Sequence, residues 1–161
     1  MSAGVQIDLR ALERIQEAVR RMADAPLGEL KEGLGAELES QTRNRIEFEK
    51  ESPEGIAWPD WSDTHAATRH GGHSLLQGEG DLLDSIQYQI QGDQILVGSP
   101  LVYAGTMQWG AKQGAFGRTS RNGPIPWGDI PAREYLGLSI ENEEDLVELV
   151  EDFIQLEVMP K

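Results

Sequence analysis

Three histidines lie close together, His65, His70 and His73, with Asp63 beside them. Imidazoles and a carboxylate form a zinc donor set, so metal chemistry is the first reading to weigh. The spacings of five and three do not put the rings on one helix face, and the surrounding ESPEGIAWPDWSDTHAATRHGGHS reads as loop. These histidines are expected to face solvent or to bond within the loop, and no metal or other cofactor is expected. The acid groups Asp60/Asp63, Asp81/Asp84 and Glu143/Glu144/Asp145 have the residue type for general acid–base work. With 28 acids in 161 residues such groupings arise by chance, and nothing marks one as the partner of a nucleophile. GAFGRTSRNG is rich in glycine but lacks the strand–loop–helix setting and the Gly-Lys-Ser/Thr ending of a phosphate loop. Trp58, Trp61, Trp109 and Trp127 fall in loops or at element ends, where they suit a small core better than a base-stacking platform. The chain is not expected to be an enzyme.

The charge balance agrees. Fourteen Lys and Arg against 28 Asp and Glu give a net charge of −14, a poor surface for gripping phosphates. The distribution is uneven. Residues 141–161 hold 8 acids and 1 base, whereas no acid occurs between Trp109 and Gly128, where Lys112, Arg118 and Arg121 stand. A basic loop in an acidic protein can meet the acidic face of a second copy. The plainer alternative is a solvated loop and a solvated helix face. There is no cysteine, which excludes disulfides and thiolate metal sites. The start, MSAGVQIDLRALERIQ, lacks the basic opening and apolar run of a signal peptide. No apolar run approaches the roughly 18 residues that span a bilayer. Synthesis in the cytoplasm and no membrane contact are expected.

The elements that would position these residues follow from periodicity. Val5, Leu9, Leu12, Ile15, Val19 and Met22 recur at three and four, predicting an amphipathic helix over Ile7–Ala23. Ala25-Pro26-Leu27 breaks it, and a second helix is expected over Leu27–Lys50, kinked or late to start because of Gly33 and Gly35. The two suggest a helical hairpin over residues 1–50. Residues 51–80 lose all period and read as a long irregular segment pinned by Trp58 and Trp61. Leu82 and Leu83 suit one short helical turn. Ile86, Tyr88 and Ile90 then alternate with glutamines, Gly92-Asp93 makes a tight turn, and Gln94–Gly98 returns, predicting a β-hairpin. A short helical piece follows Pro100, with Val102, Tyr103, Met107 and Trp109 as inward anchors, completing a unit over 81–110. Residues 111–129 form a long glycine-rich loop. Residues 140–161 form an acidic C-terminal helix, capped by Ser139 and carrying Leu146, Leu149, Val150, Phe153, Ile154 and Leu156. The order gives a single domain of class α+β: an N-terminal helical hairpin, a small antiparallel β-sheet with long loops, and the C-terminal acidic helix.

Between the long loop and the last helix stands IPAREYLGLS, residues 130–139, with no period of its own. Proline stiffening lowers the entropy lost on ordering it. Arg133 is expected to form a bidentate salt bridge or to hold backbone carbonyls, while Ile130, Tyr135 and Leu136 fill apolar gaps. Such a segment would dock the loop 111–129 and orient the last helix; its plainer reading is internal loop packing.

A longer pattern joins these pieces. Trp61-Ser62-Asp63-Thr64 is followed by the run from Leu76 to Ile86, then Val97-Gly98-Ser99, Tyr103-Ala104-Gly105-Thr106-Met107-Gln108-Trp109-Gly110 and Ile130–Ser139. This order, over roughly residues 55–160, resembles the tailed-phage virion morphogenesis family, also called tail completion proteins, of Mu-like phages and prophages. Two departures are Glu134, where proline is frequent, and Trp109, where phenylalanine is common. The resemblance implies a structural virion protein without catalytic residues, made in the host cytoplasm and placed at the neck between head and tail. It implies a homo-oligomeric ring, six- or twelve-fold, with other neck, connector and tail proteins as neighbours. DNA would pass nearby without sequence-specific binding, and an acidic lumen would repel it. A tail terminator ring and a capsid assembly factor are the alternatives within the same class. The candidate assembly residues are Tyr103, Gln108, Trp109, Lys112, Arg118, Arg121, Trp127, Arg133, Tyr135 and Leu136.

Overall fold

The computed structural model describes residues 9–69 and 71–159. The first helix, α1, spans Leu9–Asp24, and the second, α2, spans Leu27–Asn44, passing into a π-helical turn over Arg45–Glu49. Lys50 ends this run in a left-handed conformation, and its ammonium bonds the Ile46 carbonyl, Ser74 Oγ and the Leu75 carbonyl. The expected start at Ile7 lies outside the described residues. The two helices follow one another as expected. Among the described residues the main packing of α1 is on the π-helical turn Ile154–Val158, and Val19 and Met22 stay exposed.

Gly33 and Gly35 do not delay the start of α2; they admit neighbours. A β-carbon on Gly35 would sit 2.3 Å from the Tyr88 ring, so only glycine allows the sheet to lie this close. That sheet is one antiparallel pair, β1 (Gln87–Gln91) and β2 (Gln94–Gly98), in the register Gln87↔Gly98 to Gln91↔Gln94. The predicted glutamine alternation holds: Tyr88 and Ile90 turn toward α2 and the glutamines toward water. Lys31 fastens the hairpin turn to α2 through the Gly92 carbonyl at 2.9 Å and Asp93 at 2.8 Å.

Short helical turns interrupt the irregular segments: α3 (Asp63–Ala66), α4 (Asp81–Ser85) and α5 (Ala104–Trp109). The last helix, α6, spans Ile140–Phe153 and opens on a capping box in which Ser139 and Asn142 satisfy each other's backbone N–H. Its inner side packs on α2 beside Gly33. The architecture is α+β, helices around one small sheet. The core is Ile46, Trp58, Leu82, Ile86, Ala104 and Tyr135, drawn from α2's extension, the loop, α4, α5 and residues 130–139. Among the described residues no helix is long and apolar enough to cross a membrane.

Candidate functional site

Residues 130–139 run as a strap through the molecule, held by backbone bonds at Ile130 and Arg133 and by side chains from Glu134 to Gly137. Arg45, fully buried, donates from Nη1 to the carbonyls of Tyr135 at 3.2 Å and Gly137 at 2.8 Å, and from Nη2 to Asn142 Oδ1. Gln108, also buried, accepts the N–H groups of Tyr135 and Leu136, both at 3.0 Å, and returns a bond from Nε2 to the Leu136 carbonyl. Trp58 Nε1 donates to the Glu134 carbonyl at 3.1 Å. The Tyr135 hydroxyl donates to the Ala104 carbonyl, and burial raises its pKa. The bonds to Glu134, Tyr135, Leu136 and Gly137 satisfy backbone groups that have no strand or helix to pair with.

Arg133 takes the second of its two expected roles. It holds backbone carbonyls, Nε to Pro59 at 2.9 Å and Nη2 to Asp60 at 3.1 Å, and is 7% exposed. Burial pulls its pKa down, with the Asp60 charge opposing. The strap therefore ties the 58–60 segment, α5 and α6 together.

Residues 111–129 are more ordered than a long glycine-rich loop. The chain leaves α5 at Gly110 and doubles back as a narrow arm. Ala111 and Ile130 exchange both backbone hydrogen bonds at its base, at 2.9 and 2.7 Å. Further rungs run from Gly114 N–H to Pro126, Phe116 N–H to Ile125, Ile125 N–H to Gly117 and Thr119 N–H to Gly123. Gly110 has φ +72, and a β-carbon there would lie 2.7 Å from the Ile130 carbonyl and 2.8 Å from the Ala132 nitrogen. Only glycine lets the arm start flush against the strap. Lys112 and Asp129 form an ion pair at 2.8 Å across the base. The lysine's hydrogen bond holds the Asp129 carboxyl below its ordinary range, helped by the Gln113 N–H.

The arm carries apolar side chains outward. Phe116 is 58% and Trp127 79% exposed, with Arg118 and Arg121 beside them and open to water. Trp109, at the end of α5, is 73% exposed, and Val102 is fully exposed. This corrects the inward anchoring expected of Val102 and Trp109. Here α5 turns Ala104 and Gln108 inward, packs Met107 on the core and leaves Tyr103 partly exposed. Between the arm base and the 61–82 segment lies an open groove of about 820 Å³, lined by Trp61, His65, Leu76, Tyr103, Trp127 and Arg133, among others.

The expected assembly residues thus divide in two. Tyr103, Trp109, Lys112, Arg118, Arg121 and Trp127 reach the surface, while Gln108, Arg133 and Tyr135 are buried and Leu136 is half-buried. Arg45 and Asn142 act on the same strap without having stood out in the sequence, and Trp58, expected as a loop pin and core residue, joins them. His65 meets Trp61 edge to face at 5.9 Å, and its pKa is lowered by burial first and by Arg69 and Arg133 next. His73 pairs with Glu79 at 2.8 Å, and His70 lies outside the described residues. Among the described residues no group of three His, Asp or Glu is placed to hold a metal ion.

Comparison with known proteins follows the same lines. A profile described as the phage virion morphogenesis family matches residues 7–155. The chain is 35% identical over 121 residues to "Putative capsid assembly protein G" of Escherichia phage Mu, covering 73% of this chain and 72% of that protein. No solved structure matches. With the profile covering almost the whole chain, arm, strap and last helix included, the protein belongs to the phage virion morphogenesis family.

Proposed function

We propose that the chain is a structural subunit that joins the DNA-filled head of a tailed phage to its tail, as one copy of a homo-oligomeric ring around the DNA path. The observation that supports it most is excess surface. A compact monomer of 17.8 kDa exposes about 8,000 Å², whereas this chain exposes 11635 Å². The surplus, about 3,600 Å², falls within the range that permanent interfaces bury. In a closed ring each copy gives one side to each of two neighbours, so the area lost per copy equals the area of one interface. Trp109, Trp127, Val102 and Ile140, each more than 70% exposed, supply apolar surface for it. In this reading Tyr103, Trp109, Lys112, Arg118, Arg121 and Trp127 make contacts, while Gln108, Arg133, Tyr135 and Leu136 position the arm from within. The acid surplus keeps DNA from adhering as it passes.

The name of the Mu relative favours a second reading, a factor acting in capsid assembly. Electron microscopy of particles from a phage lacking this gene separates the two. DNA-filled heads beside separate, normal tails are the expected result. Overlong or ragged tails would move the protein to the tail terminus. Absent or misshapen heads would overturn the joining role in favour of capsid assembly.

A further inference from the structure

We infer that the arm of one copy docks on the outward face of α6 of a second copy, a contact that rests on the proposed ring and names the two surfaces that close it. The helix α6 has two unlike sides. Asn142 is buried and Leu146, Leu149, Val150 and Phe153 are half-buried on the inner one, as a core-facing stripe requires. On a flanking side Ile140 and Val147, with Ile154 just beyond the end of α6, recur every seventh residue and remain 79%, 55% and 40% exposed. Glu144 and Glu151 lie between them on the same face, exposed, and no basic residue falls within α6. Among the described residues this is an apolar strip with an acidic border, most open at Ile140 and Val147, while α1 reaches its far end at Ile154.

The arm is its complement in both respects. It presents Phe116, Ile125 and Trp127 as exposed apolar groups and Arg118 and Arg121 as cations. Its one acid, Asp129, is already engaged by Lys112 at the base. Apolar side chains ringed by charges of opposite sign on the two partners give a contact with area at its centre and register at its rim. A second copy is the occupant that matches, because each chain carries both halves. The arm and the outer α6 face are different patches, so the contact is heterologous, and repeating it yields a ring when the rotation closes.

Reciprocal charge reversal in the encoding phage tests the contact. Arg118→Glu with Arg121→Glu should lower plaque titre about tenfold or more, because like charges then oppose each other. Glu144→Arg with Glu151→Arg should do the same, and the two sets combined should restore the titre. Unchanged thermal unfolding of each purified variant guards against misfolding. The chain has no cysteine, so Phe116→Cys with Val147→Cys provides an independent readout: disulfide-linked ladders of the full-length protein in oxidised extracts of infected cells. Failure of the combined reversal to rescue, together with no ladder, overturns the contact. A ladder from a chain missing from finished particles would uphold the contact and remove the head–tail role. Separate heads and tails in the gene deletion, with no ladder, would uphold the role and remove the contact.

Discussion

Arg45 does at one position what a strand pairing would do over several. Its guanidinium lies beneath the strap and supplies donors to two carbonyls and the Asn142 amide oxygen. The Glu49 carboxylate is 3.4 Å from Nε, giving a charge partner from the same helical run. A lysine has no planar fork to span those acceptors. Arg45→Met fills most of the volume but leaves the acceptors dry and unpaired, so the loss should be about 3–5 kcal/mol, read as a lower urea midpoint. A second residue-scale test uses two glycines of α2. Gly28 has open space around it and Gly35 has the Tyr88 ring. Helix propensity favours alanine at either place by up to about 1 kcal/mol. At Gly35, overpacking costs about 1–3 kcal/mol and wins. Gly28→Ala should raise the melting temperature and Gly35→Ala should lower it. These roles were the least legible in the sequence. Polar side chains that grip backbone obey no period. Arg45 did leave a trace, since Leu34, Leu38, Gln41 and Arg45 continue one helical face and a buried face does not ordinarily include arginine.

Among elements, those with a period were readable and those held by backbone and polar clamps were not. The β-hairpin, α2 and α6 all announce themselves by spacing two or three-and-four. The arm hid because its rungs are intermittent and rest on main-chain atoms, which carry no sequence signal, while its glycines and prolines read as loop. The partner of α1 was hidden too, because an amphipathic pattern marks an apolar face, not what lies on it. The arm base gives a pH prediction. Asp129 is depressed in the folded state, so its contribution is present above the ordinary Asp value and is lost as pH falls through the lowered one. As pH falls through that lowered value the base should loosen. A smaller protection of the Gln113 amide proton, whose acceptor is Asp129, relative to its intrinsic exchange rate at the same pH would report it in NMR spectra. Asp129→Ala should produce the same change at pH 7 without unfolding the core.

At the scale of the whole molecule, the surplus surface fixes how the isolated chain responds to denaturant. Unfolding should expose about 14,000 Å² of new surface, against about 18,000 Å² for a compact chain of equal mass. The urea m-value, which follows that area, should be about four-fifths of the usual value for 161 residues. An m-value at the full size would mean that the free chain hides its apolar surface. Family membership was legible at this scale because the pattern extends over most of the chain. Which face meets which neighbour was not, because an interface has no period until both partners are known.

The strap also imposes an order of events during synthesis. Arg45 leaves the ribosome long before its acceptors, and Tyr135, Gly137 and Asn142 follow 90 or more residues later. Until then the guanidinium stays hydrated and the core lacks Tyr135. A nascent chain cut short ahead of the strap cannot bury what α2 presents, and it remains open to proteases. A fragment without the strap also lacks the framework from which the arm projects.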